Sequence, residues 1–427
     1  MEIDSMISMY LGIALMAFYL ITSKINNQKL IIDHVTCIFF GFIYYVYLPI
    51  IIISKSLAGG RNYGFKNEAT DLALSLVTNS QFKSFFLIFL GIIITVIIAD
   101  LRSKNNKYMP TKFGTPDLIV MKFFLIALTI LVIPAVYQIL PSVLNTYNTD
   151  NWVRGSRGPF LSYIVVLITL SSMYLIKKNK LELFNVFTIF AFVFSLLNLL
   201  TGNRGFIITL IISILLVISQ LRGGVKLRSL IMLAFFGIIA SGIVGQLRAG
   251  GYIDYSPEPL WIIGLYHFMA EGNNVATSML YYIAGFRFGH IIEAIQPTGL
   301  FEYPSSWLSQ FISIIPSIVF PSKFNYIYTD IRATYFMSSS HFYPIMMLNF
   351  GLVGSYIFMY FFTYALNVVK IKYRFVGIYP ALCAHIPFMF FRDFDMTTVK
   401  FMFAFTFLFA IIILLFGNTL RKILRTP

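Results

Sequence analysis

The chain has 427 residues, of which 58% are hydrophobic and only 11% are charged, and its formal net charge is +15. A soluble domain of this length needs far more polar residues to cover its exterior, so the composition excludes an ordinary soluble protein. The two cysteines, Cys37 and Cys383, both lie in apolar runs, which excludes a disulfide framework and a thiolate metal site. The sequence therefore predicts an integral membrane protein.

Apolar runs near the length that crosses a bilayer recur along the whole chain. They predict an all-α polytopic membrane protein with about 11 transmembrane helices, in which residues 1–427 form a single transmembrane domain. No separate soluble domain and no internal repeat is detectable in the sequence. The predicted spans are 6–22, 36–53, 84–99, 118–140, 160–176, 183–200, 206–221, 229–247, 344–366, 376–391 and 398–417.

The loops between these spans alternate in charge. One set of short loops carries 19 of the 32 basic residues and only four acids, whereas the other set holds 13 basic and 13 acidic residues. The positive-inside rule assigns the first set to the cytoplasm, so we expect a periplasmic N-terminus and a cytoplasmic C-terminus. Because the basic residues are dispersed as topology signals, we expect no nucleic-acid binding. The four acids are Asp33, Asp100, Asp117 and Glu182, and the 19 basic residues are Lys24, Lys29, Arg102, Lys104, Lys107, Lys112, Lys122, Lys177, Lys178, Lys180, Arg222, Lys226, Arg228, Lys370, Lys372, Arg374, Arg421, Lys422 and Arg425.

One segment outside the predicted spans is much longer than the others. Residues 248–343 fall on the predicted periplasmic side and are rich in aromatic, glycine and proline residues. A loop this long in a protein with otherwise short loops is usually functional. We therefore expect this large, late periplasmic loop to contribute to the functional site.

Several arginines lie at the predicted outer ends of the spans. Arg204 stands in the short turn Thr201–Gly205, and Arg248 ends the eighth span. An arginine in so short a turn between two spans is costly unless it has a partner, and a guanidinium group binds phosphate through paired hydrogen bonds. These residues predict a lipid-phosphate site at the outer headgroup level, although each one alone is also compatible with a headgroup anchor. Further candidates at this level are Arg287, Arg332 and Arg392.

Two residues are candidates for a general base. His341 stands just before the ninth span and is followed by Asn349, Gly351 and Gly354, while Glu271 lies on a predicted helix in the outer loop. Either side chain can accept a proton from a reacting hydroxyl group. A histidine at the start of a helix can equally hydrogen-bond a sugar or cap that helix, so this alternative stays open.

The sequence gives little sign of a metal or cofactor site. Asp393 and Asp395 are spaced like metal ligands, but both closely follow Arg392 and are better explained as its ion-pair partners. The sequence contains no zinc-protease motif, phosphate-binding loop, dinucleotide fingerprint or nucleophile elbow. We therefore expect neither a metal nor another cofactor.

The ordered combination of four motifs resembles the bacterial O-antigen and repeat-unit polymerases of the Wzy type. Two of the motifs are Thr201-Gly-Asn-Arg-Gly205, which opens a long apolar run, and Arg248 at the end of the next span. The other two are Ile315-Pro-Ser-Ile-Val-Phe-Pro-Ser-Lys323 in the outer loop and Asn349-Phe-Gly-Leu-Val-Gly354 at the following span. The order of the motifs, the topology and the single dominant late loop also agree, so the resemblance covers most of the chain.

The resemblance implies a GT-C-like, inverting glycosyltransferase in the bacterial inner membrane. Such an enzyme polymerises undecaprenyl-pyrophosphate-linked oligosaccharide repeat units at the periplasmic face. The implied partners are these lipid-linked glycans, membrane lipid, and a chain-length regulator and flippase of the same pathway. Because the donor arrives already activated, neither a nucleotide nor a metal is required.

The resemblance also implies roles for the candidate residues. Arg204 and Arg248 would stabilise the pyrophosphate leaving group. His341 would act as the base, with Glu271 as the alternative. The residues expected to assist or support them are Arg287, Arg332, Arg392 and Asn349.

Two alternatives stay open. O-antigen ligases share this architecture and carry a histidine before a Gly-x-x-Gly-like stretch, but here His341 lies one residue closer to Gly351 and Phe342 occupies a position that is usually polar. This departure favours a polymerase over a ligase or a related lipid-linked glycan transferase. A polysaccharide or lipid transporter is the second alternative, but we find no inverted repeats or interrupted helices in the sequence.

Overall fold

The computed structural model describes residues 3–51 except 49, 77–103 except 78, parts of 119–136, 164–170, 185–200, 205–248, 342–372, 378–387 and three residues between 415 and 419. Within these residues the chain is mostly helical. Four of the described helices are long and apolar enough to cross a membrane. They are Met6–Lys24, Ser80–Ser103, Gly205–Arg222 and Phe350–Lys370.

The described helices also carry an exposed apolar surface. Val186 is 76% exposed, Ile231 is 68% exposed and Phe361 is 61% exposed. Large apolar side chains on the outside of long helices are favourable in lipid, where the helical backbone satisfies its own polar groups. Together with the four long helices, this surface indicates a membrane protein. The total of about 11 spans stays a prediction. The third predicted inner loop, residues 177–182, and most of the last predicted span, residues 398–417, lie outside the described residues.

Every described helix overlaps one of the predicted spans. In the part of the chain that the structure describes, the elements are named in chain order, and short π-helical turns at Leu20–Lys24 and Ile43–Tyr47 extend the first two helices. The elements are α1 (Ile3–Tyr19), β1 (Ile25–Asn26), β2 (Lys29–Leu30), α2 (His34–Phe42), α3 (Asn79–Ser103), α4 (Val186–Leu200), α5 (Gly205–Arg222), β3 (Val225–Lys226), α6 (Leu227–Arg248), α7 (Phe342–Lys372) and α8 (Ile378–His385).

Aromatic side chains fill much of the main apolar core, which includes residues of α1, α2, α3, α7 and α8. The Phe42 and Phe89 rings meet edge to face with centroids 5.3 Å apart, and those of Phe85 and Phe89 are 4.5 Å apart. A second apolar cluster joins α4 and α5 to residues 125–132 and 164–168. Tight packing of this kind holds membrane helices together, since lipid supplies no hydrophobic driving force between them.

A small antiparallel sheet connects two distant loops. β1 and β2 form a hairpin whose turn residues, Asn27 and Gln28, have positive φ angles of 47° and 60°, as in a type I′ turn. β3 pairs with β2, so that Lys29 lies opposite Lys226 and Leu30 opposite Val225. The all-α prediction did not include this sheet, because strands of two residues carry no periodic pattern.

Several helix ends meet at one end of the bundle, which we call the basic end. The sheet joins the end of α1 to the α5–α6 connection, and ion pairs join Lys24 to Asp100 at the end of α3 and Asp33 to Lys370 at the end of α7. The segments that meet here, around residues 24–33, 100–103, 222–228 and 370, all belong to the basic loops that the positive-inside rule groups together. Helices therefore alternate in direction at this end, with α1, α3, α5 and α7 ending here and α2 and α6 beginning here.

Gly91 allows α3 to approach α7 closely. A Cβ atom at this position would lie 2.5 Å from Tyr356 Oη and 2.7 Å from Tyr356 Cζ. The Tyr356 hydroxyl also donates a hydrogen bond to the Ile88 carbonyl at 3.3 Å. We therefore expect Gly91→Ala to displace this ring and to lower the free energy of unfolding of the purified protein in detergent by about 1–3 kcal/mol.

The matched control for this prediction is Gly237→Ala on α6. Apart from its chain neighbours and the local helix backbone, no atom lies within 4 Å of a Cβ added at Gly237. Alanine is also the better helix former, so this variant should unfold no more easily than the unsubstituted protein. An equal loss of stability at Gly91 and Gly237 would contradict the packing argument.

Candidate functional site

The structure describes only two residues of the predicted glycan site. Arg248 is the last residue of α6, and Asn349 lies in the first part of α7. α6 starts at the basic end, and its 22 residues extend over roughly 33 Å. Arg248 therefore lies at the end of α6 that is remote from the basic end. The other predicted residues lie outside the described residues, so their convergence stays a prediction: Arg204, Glu271, Arg287, Arg332, His341 and Arg392.

α7 is interrupted at Gly351, inside the Asn349–Gly354 motif, so the expectation of uninterrupted helices, which was one ground against a transporter, is wrong at this position. Gly351 has φ 65° and ψ −170°, which is not helical. Essentially only glycine adopts this backbone conformation at low cost. Its carbonyl accepts a hydrogen bond from Ser355 Oγ at 2.7 Å. The first glycine of the motif is therefore required by the backbone.

The second glycine of the motif is required by packing. A Cβ atom at Gly354 would clash with Phe350 Cβ. Together the two glycines set the local path of α7 directly after Asn349. Non-helical backbone within a membrane helix is tolerated where protein surrounds it or where it lines a polar cavity. Gly351 is buried, so its surroundings are protein.

A second constellation, the buried charge network, lies at the basic end and consists of Tyr19, Lys24, Asp33, Asp100 and Lys370. Lys24 Nζ lies 2.6 Å from both Asp33 Oδ2 and Asp100 Oδ2. Tyr19 Oη donates a hydrogen bond to Asp100 Oδ2 at 2.5 Å, and Lys370 Nζ lies 3.8 Å from Asp33 Oδ2. Lys24, Asp33 and Asp100 are at most 5% exposed. Two positive and two negative charges thus balance here, and of the four side chains only Lys370 is partly exposed.

Asp33 has two roles in this network. Its Oδ1 accepts hydrogen bonds from the backbone N–H groups of Val35 and Thr36, both at 3.1 Å, and Thr36 Oγ1 accepts from the Asp33 N–H at 2.6 Å. This reciprocal pair is a capping box at the start of α2. Burial by itself would raise the pKa of Asp33, but the charges of Lys24 and Lys370 hold that pKa well below its usual range. The carboxylate therefore stays ionised.

α8 is attached to the same place through Tyr379. Tyr379 Oη accepts a hydrogen bond from the His34 backbone N–H at 3.0 Å and lies 2.7 Å from His34 Nδ1. Since the oxygen already accepts from the backbone, its own hydrogen can be donated to Nδ1. Lys370 Nζ lies 5.9 Å from the centroid of the Tyr379 ring. The buried charge network is thus continuous with the contact between α2 and α8.

This arrangement is suited to holding helix ends in place. Each buried charge has an opposite charge at contact distance, and moving one helix end would leave a charge buried without its partner. The network lies at the basic end, where α6 begins, whereas Arg248 is the last residue of α6, so the network is separate from the predicted glycan site. We therefore assign it to the architecture of the bundle.

The sequence prediction did not identify this network. Lys24 was interpreted only as a topology signal, and Asp33 and Asp100 only as minor members of a basic set of loops. A signal was nevertheless present, because these are two of the four acids among 19 basic residues. Acidic residues in loops where basic residues predominate are candidates for specific ion pairs.

Neither metal chemistry nor comparison with known proteins adds a further constraint. Among the described residues, no group of three or more His, Cys, Asp or Glu side chains is placed to hold a metal ion. The chain matches no family model, no curated protein sequence and no solved structure.

Proposed function

We propose that the protein is a GT-C-type glycosyltransferase that polymerises undecaprenyl-pyrophosphate-linked oligosaccharide repeat units at the periplasmic face of the bacterial inner membrane. The observation that carries the proposal is the ordered set of motifs from Thr201–Gly205 to Asn349–Gly354, on a chain with one large late loop. The interruption of α7 at Gly351 supports it, because it falls inside the last motif and gives its first glycine a backbone requirement.

The proposed orientation places the basic end in the cytoplasm. The N-terminus is then periplasmic, the C-terminus is cytoplasmic and about 11 helices cross the membrane. Arg248 stands at the far end of α6 from the basic end, which in this orientation is the periplasmic side. That is the side on which a lipid-linked glycan would be polymerised, and on which a chain-length regulator would meet the enzyme.

The arginines provide the electrostatic part of the proposed reaction. The bond between the anomeric carbon of the donor and the pyrophosphate oxygen breaks, so negative charge grows on the lipid pyrophosphate. Preorganised cations stabilise such a leaving group more than water does. Arg204 and Arg248 are assigned to this role. The assisting residues are Arg287 and Arg332, with Arg392 in support.

The remaining candidates act on the acceptor glycan. A hydroxyl group of the acceptor sugar attacks the anomeric carbon from the face opposite the pyrophosphate, which inverts the configuration. The hydroxyl proton passes to His341, with Glu271 as the alternative base. Asn349, just before the interruption of α7, is assigned to hydrogen bonding with a glycan hydroxyl.

We expect Arg204→Ala and Arg248→Ala each to abolish polymer while protein levels stay normal. Arg→Lys at either position should restore polymer only in part, because an ammonium group cannot form the paired hydrogen bonds of a guanidinium group. The measurement is the length distribution of surface polysaccharide on a gel, with protein quantified by immunoblot. Arg102→Ala, which removes an exposed arginine at the end of α3, is the matched control and should leave polymer length unchanged.

The phenotype of a deletion strain separates the candidate functions. Loss of a polymerase leaves surface glycan capped at one repeat unit, whereas loss of a ligase leaves polymer on the lipid carrier. Loss of a transporter leaves unpolymerised lipid-linked repeat units at the cytoplasmic face. Normal polymer in the deletion strain would overturn the proposed function, and normal polymer length in both alanine variants would remove Arg204 and Arg248 from the site.

A further inference from the structure

Four basic side chains surround the small sheet at the basic end. We call them the basic patch: Lys29, Arg222, Lys226 and Arg228. Lys29 and Lys226 lie directly opposite each other in the β2–β3 pair, so their side chains are on the same face of the sheet. Directly opposed residues have β-carbons about 4.5–5.5 Å apart, and like charges at this separation destabilise the pair. Three of the four side chains are exposed, and Lys29 is partly buried.

No described acid neutralises the basic patch. The ion pairs that the described part of the chain forms at this end all lie within the buried charge network. Asp33 and Asp100 are buried there and are already paired. Lys29 Nζ donates instead to the backbone carbonyl of Arg222 at 3.3 Å, at the C-terminal end of α5. The patch therefore presents positive charge to its surroundings.

The backbone holds the patch together despite this repulsion. Gly223 and Gly224 connect α5 to β3 with φ angles of 66° and 128°, which glycine adopts readily. A Cβ atom at Gly224 would lie 2.9 Å from Lys29 Cβ, so the two loops are in close contact. The Leu227 N–H also donates to the Gln28 carbonyl at 3.0 Å. The cations are thus fixed near one another by the fold.

The patch adjoins an apolar surface. Directly after Arg228, α6 exposes Ile231, Phe235 and Phe236 by 68%, 51% and 58%. Arg228 and Ile231 are less than one helical turn apart, a distance of about 4.5 Å along the axis. Basic side chains next to exposed apolar side chains are placed at the boundary between lipid tails and headgroups.

We propose that the basic patch binds the phosphate group of an anionic phospholipid in the leaflet that faces the basic end. Ammonium and guanidinium groups recognise phosphate oxygens through charge-assisted hydrogen bonds. The lipid tails would lie along the exposed apolar residues of α6. A bound phosphate would also neutralise the repulsion between Lys29 and Lys226. The patch lies at the start of α6 and Arg248 is at the other end of this helix, so the proposal does not depend on the glycan site.

The test is a native mass spectrometry titration of the purified full-length protein in detergent with phosphatidylglycerol and with phosphatidylcholine. The unsubstituted protein should bind phosphatidylglycerol more tightly. Lys226→Gln combined with Arg228→Gln removes two exposed charges whose side chains form no hydrogen bond or ion pair with another described residue. Each lost cation should weaken binding of phosphatidylglycerol about fivefold, or roughly 25-fold together, and leave phosphatidylcholine binding unchanged.

Three controls make the result decisive. Lys122→Gln removes an exposed charge elsewhere and should not change the affinity for phosphatidylglycerol. Lys226→Arg keeps the charge and should retain that affinity. If the double variant does not fold, Lys226→Gln alone should weaken the binding of phosphatidylglycerol by the effect of one lost cation. Equal affinities for the two lipids, an unchanged affinity in the Lys226→Gln variants, or full displacement of phosphatidylglycerol by an equal concentration of inorganic phosphate would each overturn the proposal.

Discussion

Lys24→Met is expected to lower the free energy of unfolding of the purified protein by about 3–5 kcal/mol. The substitution removes the ammonium group that lies 2.6 Å from both Asp33 Oδ2 and Asp100 Oδ2. Two buried carboxylates then remain near each other, and only Asp33 keeps a cation, with Lys370 Nζ at 3.8 Å. The loss is measured by equilibrium unfolding in mixed micelles, followed by circular dichroism.

The double variant Lys24→Met with Asp100→Asn tests the origin of this loss. It removes one positive and one negative charge, so that Asp33 can still pair with Lys370. Replacing a buried ion pair by uncharged groups is often close to neutral, so the double variant should be more stable than Lys24→Met alone. Lys122→Met, at an exposed position, should change stability by no more than about 0.5 kcal/mol. A loss no larger in Lys24→Met than in Lys122→Met would contradict the assigned role of the network.

The helices were largely predictable from apolar length. α5 runs from Gly205 to Arg222, where residues 206–221 were predicted, and α6 runs from Leu227 to Arg248, where 229–247 were predicted. The agreement has a physical reason, since a segment in lipid must satisfy all its backbone hydrogen bonds within itself. Helix formation in lipid is therefore a local property, and it can be predicted from the length of an apolar run alone.

The contacts at the basic end were not predictable in the same way. Lys24 and Asp100 are 76 residues apart in sequence, and Lys29 and Lys226 belong to different loops. Their pairing depends on which helix ends are neighbours, and no local pattern determines that. Gly351 could be identified as part of a motif, but its positive φ could not be predicted. A glycine can be required for packing, for a turn or for a close approach, and the sequence does not distinguish these reasons.

The glycan site was predicted as a convergence of loop residues. Of this set, the structure describes the end of α6 at Arg248 and the part of α7 that holds Asn349. A helix end can be placed from the length of an apolar run, but the path of a long loop depends on tertiary contacts. The roles of the outer-loop residues therefore stay predictions that activity measurements decide.

His341→Gln is expected to lower the polymerisation rate by about 10²–10⁴-fold, which is the usual contribution of a general base. His341 directly precedes α7, which begins at Phe342, and the proposed reaction needs a group that takes the acceptor hydroxyl proton. Glutamine keeps a hydrogen-bonding group of similar reach but does not take up a proton. If His341 only contacts a sugar, the loss is about 0.5–1.5 kcal/mol, or roughly 2- to 13-fold.

The decisive comparison is between His341→Gln and Glu271→Gln, assayed in vitro with purified lipid-linked repeat units. Both variants are compared at saturating substrate, so that a difference in glycan binding does not imitate a difference in proton transfer. A general base also gives the rate a pH dependence on its acidic side, because protonation removes its ability to accept a proton. This dependence should disappear in the variant that lacks the base. If His341→Gln keeps more than about a tenth of the rate while Glu271→Gln is inactive, the base is Glu271 and the assignment of His341 is wrong.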